Sequence, residues 1–256
     1  MEMIEVGGVS LELQRIGEAS GAALEPIVFL HEGLGSVAMW RDWPAQVCAT
    51  TGRGGIVYSR RGYGDSAPVP DVRGAGRLAA DYMQREAWQV LPELLSKLGA
   101  ARPVLLGHSD GGSIALLHAS RHPVSACIVM APHVMVEEVS LRSIAAARDT
   151  YESALKERLR RYHADPDVAF WQWNDVWLSA AFRGFDIRPD CRRIAAPVLA
   201  IQGCDDRYGT MRQIEEIAPT LGSFTIETLA SCGHSPHKDQ PELTRKLAAD
   251  FLALLP

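Results

Sequence analysis

Short apolar runs alternate along this chain of 256 residues with longer stretches in which apolar residues recur at three- and four-residue spacing. The first pattern is typical of buried strands, and the second of surface helices that cover a sheet. Strands that are separated by helices usually pair in parallel, because the crossover helix carries the chain back before the next strand begins. The alternation therefore predicts an α/β fold with a mostly parallel sheet. The predicted strands are residues 26–30, 55–58, 103–106, 125–130, 197–201 and 224–229, and the predicted helices between them include 40–49 and 78–98.

The alternation stops in the middle of the chain. From about His133 to about Arg193 the sequence has helical segments rich in Arg and Glu, an aromatic stretch from Phe170 to Trp177, and no strand pattern. A helical segment inserted between two strands is expected to lie over one end of the sheet. We therefore predict a core domain made of residues 1–132 and 194–256, with residues 133–193 forming a helical lid.

Composition argues against several classes of protein. The chain has 26 Lys and Arg against 31 Asp and Glu, so it lacks the basic excess that binding to a nucleic-acid backbone requires. The start of the chain is acidic and no segment is apolar for long enough to span a bilayer, which predicts a cytoplasmic protein without a membrane partner. The five cysteines are scattered and form no CxxC pair, so neither a disulfide framework nor a zinc site is expected. No cofactor or metal is expected, and the sequence does not choose between a monomer and a homodimer.

The strongest local signal is the segment Gly107–Gly112, which stands between the apolar run 104–106 and a helical run. A strand, a sharp turn and a helix in this order expose a serine hydroxyl at the edge of a sheet, with the helix N-terminus directed at it. The glycines on either side of Ser109 allow the close backbone approach that such a turn needs. Ser109 is therefore the candidate nucleophile.

A serine hydroxyl needs a base, and the base needs an acid to orient it. Two adjacent carboxylates, Asp205 and Asp206, follow the predicted strand 197–201, and His234 lies in a glycine- and proline-bounded loop after the last strand. The residues alone leave either aspartate open as the acid. His237 would pair with His234 in an HxxH pattern, but without a third ligand at a matching spacing a metal site is not expected.

A negative charge on a substrate oxygen also needs hydrogen-bond donors, and backbone N–H groups usually supply them. One donor is expected from Asp110, directly after the candidate nucleophile. The second is expected from the loop His31–Ser36, where two glycines follow a strand.

These motifs resemble those of the α/β-hydrolase family across nearly the whole chain, and most closely those of the lid-bearing bacterial esterases. His31, Ser36 and Trp40 match the family pattern His-Gly-x-x-x-Ser followed four residues later by Trp, although Glu32 replaces the glycine. The turn Ser59–Ser66 matches Asp-x-Arg-Gly-x-Gly-x-Ser except at its first position, where the family has Asp. Two later motifs match without exception: Gly-x-x-Asp at 203–206 and Gly-His-x-Pro at 233–236.

The resemblance implies an eight-stranded, mostly parallel sheet flanked by helices, with a helical lid. It selects Asp206 over Asp205 as the acid. It also implies that Gly33 supplies the second oxyanion donor, with Leu34 next in line.

The expected activity is that of a carboxylesterase acting through an acyl-enzyme on a small, partly apolar ester. Leu34, Trp173 and Trp177 are the predicted substrate-binding residues. Three alternatives use the same fold: a thioesterase, a hydrolase of carbon–carbon bonds, and a ligand-binding protein without turnover. A dehalogenase is disfavoured because that chemistry needs a carboxylate at position 109. The arginines at 158, 160 and 161 would suit an anionic substrate tail such as that of an acyl-CoA, but such a run more often forms a solvated helix face.

Overall fold

The computed structural model describes residues 1–17, 24–217 and 221–255. In these residues eight strands form one sheet in the order β1-β2-β4-β3-β5-β6-β7-β8. The strands are β1 (Glu2–Val6), β2 (Val9–Ile16), β3 (Ile27–Leu30), β4 (Gly55–Tyr58), β5 (Val104–His108), β6 (Ala126–Met130), β7 (Val198–Gly203) and β8 (Phe224–Leu229).

Helices connect the strands from β3 onward. The α-helices are α1 (Trp43–Thr51), α2 (Tyr82–Arg85), α3 (Leu91–Leu98), α4 (Asp110–Ala119), α5 (Glu138–Asp149), α6 (Lys156–Leu159), α7 (Pro166–Trp177), α8 (Arg188–Cys191), α9 (Arg212–Glu215), α10 (Pro236–Asp239) and α11 (Pro241–Ala253). Short 3₁₀ segments at Ala38–Trp40 and Ala181–Gly184 and π-helical turns at Glu86–Val90 and Tyr151–Leu155 complete the helical structure of the described residues.

The prediction of an eight-stranded, mostly parallel sheet is confirmed. The strands from β3 to β8 pair with their neighbours in parallel, whereas β2 runs antiparallel to both β1 and β4. The apolar runs did not reveal the β1–β2 hairpin, because its strands carry charged residues and β1 lies at the edge of the sheet. The signal that marks it is the pair Gly7-Gly8, whose φ angles of 57° and 75° match the tight turn that joins antiparallel strands.

Alternate residues of the central strands point into two separate apolar clusters. Ile27 and Phe29 of β3 belong to the cluster that packs under α1 and α11, whereas Val28 and Leu30 belong to the cluster beneath α3 and α4. A parallel sheet buried on both faces explains why its strands are continuously apolar rather than alternating. This layering holds the carboxyl ends of the strands in fixed positions.

Residues 133–193 contain α5 to α8 and no strand beyond one isolated bridge between Met135 and Asp186. Their aromatic side chains pack together: the rings of Tyr151 and Phe170 stack with centroids 3.9 Å apart. Trp177 is almost fully buried and belongs to the same cluster as α4. The predicted boundaries of a separate lid remain a prediction.

The order of the sheet creates a crevice beside β3. The chain passes from β3 to β4 on one side and later returns to β5 on the other, so the connections leave the sheet in opposite directions at this point. Ligands of open α/β sheets bind at the carboxyl ends of strands where the order reverses in this way. The loop after β3 and the turn after β5 carry the residues predicted to act chemically. No helix in the described ranges is long and apolar enough to cross a membrane.

Gly111 is a position at which the fold leaves no room for a side chain. A Cβ built there would lie 2.0 Å from the carbonyl oxygen of Leu30, a backbone atom of β3 that cannot move without disturbing the sheet. We expect Gly111→Ala to lower the free energy of unfolding by more than about 2 kcal/mol, because overpacking of a rigid core displaces the backbone. Urea denaturation measures this change.

Gly184→Ala is the matched control, since a Cβ at Gly184 meets no atom of the described residues within 4 Å. It should change the unfolding free energy by less than about 0.5 kcal/mol. Equal stability of the two variants would contradict the close packing of α4 on β3.

Candidate active site

Ser109 occupies a strained turn between β5 and α4. Its φ of 52° and ψ of −120° lie in a region that residues with a side chain rarely adopt. The Ser109 N–H donates to Met130 O at 2.9 Å, and a Cβ at Gly107 would lie 2.2 Å from Gly111 O. The two glycines therefore permit the turn sterically, while the neighbouring strand anchors it.

Three side chains that are far apart in sequence meet at this turn. His234 Nε2 lies 3.0 Å from Ser109 Oγ, and His234 Nδ1 lies 2.9 Å from Asp206 Oδ2. Asp206 follows β7 and His234 follows β8, so parallel pairing brings both to the edge of the sheet from which Ser109 projects. The geometry forms a continuous hydrogen-bonded chain from carboxylate to hydroxyl.

Asp206 determines which nitrogen of His234 carries the proton. Burial by itself raises the pKa of Asp206, but hydrogen bonds from His234 and from the Tyr208 N–H outweigh it and hold the pKa below its ordinary value. An ionised carboxylate only accepts, so Nδ1 of His234 must donate and Nε2 presents its lone pair to the Ser109 hydroxyl. Gln202 Nε2 donates at 2.7 Å to Oδ2, the carboxylate oxygen that also faces His234 Nδ1, and the Tyr208 N–H donates to Oδ1.

The structure places Asp206, and not its neighbour, against the imidazole. The Asp206 side chain is 1% exposed, whereas Asp205 is an exposed residue whose N–H donates to Cys232 O. Both aspartates follow the same strand, so only the conformation of the turn distinguishes them.

The predicted oxyanion donors lie around one cavity of about 310 Å³ beside Ser109. Gly33, Leu34 and Asp110 all line it, as do Ser109 and His234. The indole of Trp173 covers Gly33 so closely that a Cβ there would lie 2.2 Å from Trp173 Nε1. Whether Gly33 or Leu34 presents its N–H to a substrate remains a prediction.

Residues that sequence reasoning did not identify as part of the site hold the loop after β3. The Arg60 guanidinium donates to the carbonyl oxygens of His31 and Glu32, at 2.6 and 2.9 Å. The ring of His163, from the helical segment 133–193, lies 3.0 Å from Leu34 O through Nε2 and accepts from Gly64 N–H through Nδ1. No local motif marks His163, because its partners are supplied by distant loops.

The turn Ser59–Ser66 lacks the Asp of the family pattern, and the Glu12 carboxylate of β2 accepts hydrogen bonds from this turn. Ser59 Oγ donates to Glu12 Oε2 at 2.6 Å and accepts from Val37 N–H at 2.9 Å. Asp65 N–H donates to the same carboxylate at 3.2 Å. A buried acid from a strand that the apolar pattern had missed thus stabilises the turn.

Glu32, which replaces the glycine of the family pattern, forms an ion pair at the edge of the cavity. Its Oε1 lies 3.0 Å from Lys238 Nζ. Burial raises the pKa of Glu32, but the charge and the hydrogen bond of Lys238 oppose burial, and the pKa lies well below its usual range. The ion pair links the loop after β3 to the segment that follows His234.

The three residues predicted to bind substrate line the cavity, but they are not equally available. Leu34 is half-buried, and Trp173 and Trp177 are buried. Trp177 Nε1–H donates to the Tyr82 hydroxyl, which donates to Asp110 Oδ2 at 2.5 Å. Trp177 therefore also orients the side chain of the residue next to Ser109.

The other histidines near the site are buried and pack on aromatic rings. His237 contacts the rings of both Trp40 and Trp43, and its pKa is well below the ordinary value, chiefly because of burial. Burial also lowers the pKa of His133 to about 3. Within the described residues no group of three His, Cys, Asp or Glu side chains is placed to hold a metal ion.

Comparison with known proteins agrees with this geometry. Residues 27–247 match the sequence model of the alpha/beta hydrolase family. The chain is 25% identical to the sn-1-specific diacylglycerol lipase ABHD11 of Mus musculus over 91% of its length and 82% of that protein. It is 26% identical to the serine hydrolase BPHL of Homo sapiens, over 97% of this chain and 85% of that one.

Solved structures show the same fold. The enol-lactonase of Burkholderia xenovorans LB400 superposes with a TM-score of 0.75 at 22% identity, covering 98% of this chain and all of that one. The family match spans most of the sequence, and the sheet order and the strained serine turn accompany it. The chain therefore belongs to the alpha/beta hydrolase family.

Proposed function

We propose that this hydrolase cleaves carboxylic esters through an acyl-enzyme on Ser109. The observation that carries the proposal is the unbroken hydrogen-bonded chain from Asp206 through His234 to Ser109 Oγ. A serine hydroxyl is a weak nucleophile alone and becomes effective when an oriented imidazole accepts its proton.

In the first half of the reaction, His234 Nε2 takes the Ser109 proton while Oγ attacks the ester carbonyl carbon. The carbonyl oxygen becomes negatively charged and accepts hydrogen bonds from the N–H groups of Gly33 and Asp110. The N-terminus of α4 adds a favourable electrostatic potential at this position. The carbon–oxygen bond to the leaving group then breaks, and the alcohol departs with the proton from His234.

In the second half, a water molecule replaces the alcohol. His234 takes one proton from the water as its oxygen attacks the acyl carbon, and the second tetrahedral intermediate uses the same donors. Collapse breaks the bond to Ser109 Oγ, which recovers its proton from His234 and releases the acid. Asp206 stays ionised throughout and stabilises the imidazolium that forms twice in each cycle.

The cavity beside Ser109 favours a small, partly apolar acyl group. Its volume of about 310 Å³ lies at the lower end of the range for ligand pockets. Ile144, Leu155 and Leu159 line it together with the two tryptophans. Burial of hydrocarbon against these side chains supplies affinity without charge.

Ser109→Ala removes the nucleophile while leaving a side chain of similar size. We expect kcat on p-nitrophenyl butyrate to fall by about 10⁴-fold or more, because the remaining groups can stabilise but not form an acyl-enzyme. Steady-state assays measure this, and circular dichroism should show an unchanged fold.

Fluorophosphonate labelling followed by peptide mapping checks the same assignment. The adduct should be found on Ser109 and be absent from Ser109→Ala, while Ser153→Ala, an exposed control in the segment 133–193, should label and turn over like the wild type. Activity of Ser109→Ala close to that of the wild type would refute the mechanism.

Asp206→Asn tests the orienting role of the carboxylate. The amide can donate to Nδ1 of His234, which favours the tautomer with the proton on Nε2 and removes the lone pair that Ser109 needs. We expect kcat to fall by about 10³–10⁴-fold at pH 7, as for the equivalent change in other serine triads.

Asp205→Asn is the matched control, because it makes the same chemical change one residue earlier at an exposed position. It should retain wild-type kcat across the pH range of the assay. Equal losses in the two variants would show that net charge near the site, rather than orientation of His234, is what matters.

A further inference from the structure

A second, larger cleft adjoins the cavity beside Ser109. Its volume is about 840 Å³, and it lies between the 38–46 segment, the turn after α6 and the helices α10 and α11. This is the size of a site for a cofactor or a large substrate arm. The mechanism above leaves the cleft without a role.

The cleft is basic although the chain carries a net charge of −5. Its lining includes two carboxylates, Asp42 and Glu242, and five cationic side chains, which are Arg41, Arg158, Arg161, Lys238 and Arg245. Lys238 is paired with Glu32, and Arg245 donates to Gln46. Gln46 is neutral, so the excess of positive charge lies on Arg245 together with the three remaining arginines.

The side chains of Arg41, Arg158 and Arg161 have no hydrogen-bond or ion-pair partner among residues 1–17, 24–217 and 221–255. Arg160, which stands between two of them in sequence, differs: it pairs with Glu157 and does not line the cleft. Of the three arginines at 158, 160 and 161, the first and the last therefore line the cleft, and Arg160 lies on a solvated face. Unpaired guanidinium groups that converge on a cleft are suited to bind anions, above all phosphate, whose geometry matches the guanidinium fork.

The cleft and the cavity beside Ser109 share part of their lining. Met39, Arg158 and Lys238 line both. Beyond these shared residues, the cavity adds the apolar side chains of Ile144, Leu155 and Leu159, whereas the cleft adds Arg41, Arg161 and Arg245. A molecule that spans both sites would be matched best with an apolar end and an anionic end. The bond to be cut would lie between these ends, next to Ser109 Oγ.

We propose that the cleft binds the phosphate-bearing leaving group of an ester or thioester whose acyl part occupies the cavity. This inference rests on the proposed function. Ser109 Oγ forms a bond to the acyl carbon, and the bond from that carbon to the leaving oxygen or sulfur breaks. The leaving atom takes the proton that His234 received from Ser109, and water later releases the acid, so no further reactant is needed.

Two matched substrate pairs test the proposal and separate its two chemical sources. The thioester pair is butyryl-CoA and S-butyryl-N-acetylcysteamine, and the ester pair is the monobutyrate of glycerol 3-phosphate and that of glycerol. We expect kcat/KM to be at least about tenfold higher for the phosphate-bearing member of one pair, because it gains charge-assisted hydrogen bonds. Equal or lower values for the phosphate-bearing members of both pairs would overturn the proposal.

The double variant Arg158→Gln/Arg161→Gln identifies the groups responsible. It should lower the ratio of kcat/KM between the preferred phosphate-bearing substrate and its matched partner by about tenfold, because two guanidinium contacts are lost. Neither arginine loses a hydrogen bond or ion pair within the described residues, so thermal unfolding should be unchanged. Arg160→Gln makes the same chemical change outside the cleft and is the control, so it should keep the wild-type ratio. An unchanged ratio in the double variant would exclude the cleft as the binding site of the phosphate group.

Calorimetric titration with CoA and with glycerol 3-phosphate gives a readout that does not depend on turnover. At least one should bind the wild type and bind the double variant about tenfold more weakly. Such binding without hydrolysis of p-nitrophenyl butyrate or labelling of Ser109 would mean that the proposed function fails while the cleft remains an anion site. Hydrolysis of p-nitrophenyl butyrate without binding of either ligand would mean that the proposed function stands while the cleft is not an anion site.

Discussion

The strained backbone of Ser109 is the constraint on which the rest of the site depends. A residue at φ 52° and ψ −120° is held there at a cost of about 1–3 kcal/mol, and only rigid surroundings can maintain it. β5 fixes the chain before the turn, and the contact of Gly111 with the backbone of β3 fixes α4 after it. The result is a hydroxyl held at the N-terminus of a helix, and the loops after β3, β7 and β8 converge on that point.

Burial of charge controls the chemistry around this hydroxyl. The Asp206 carboxylate is almost inaccessible to water, yet it stays ionised because His234, Gln202 and the Tyr208 N–H all donate to it. The neighbouring histidine His108, by contrast, is kept neutral, because burial lowers its pKa to about 4. In the proposed mechanism, the transient positive charge on His234 is thus balanced by one carboxylate and is not opposed by a second imidazolium ring.

Particular residues show how far sequence reasoning could go. The apolar runs located the strands from β3 to β8 because a doubly covered parallel sheet needs continuous hydrophobic segments. The β1–β2 hairpin escaped, since its edge position tolerates charged residues. Local motifs brought Ser109, Asp206 and His234 forward as candidates, but no local pattern marked Glu12, His163 or Lys238. Each of these acts through a partner that another segment supplies, as His163 does with Leu34 O and Gly64 N–H.

The sequence by itself determined the fold class, the position of the serine turn, and the order in which serine, acid and histidine appear. These features depend on backbone conformations that neighbouring residues specify through glycine placement and apolar spacing. The family motif already favoured Asp206 over Asp205, but only the tertiary structure decided that the Asp206 carboxylate contacts His234, that Glu12 accepts hydrogen bonds from the 59–66 turn, and that two of the three arginines at 158, 160 and 161 face a cleft. The physical reason is that a hydrogen bond or a cavity requires positions accurate to a fraction of an ångström between segments far apart in the chain, and packing of the complete core sets those positions.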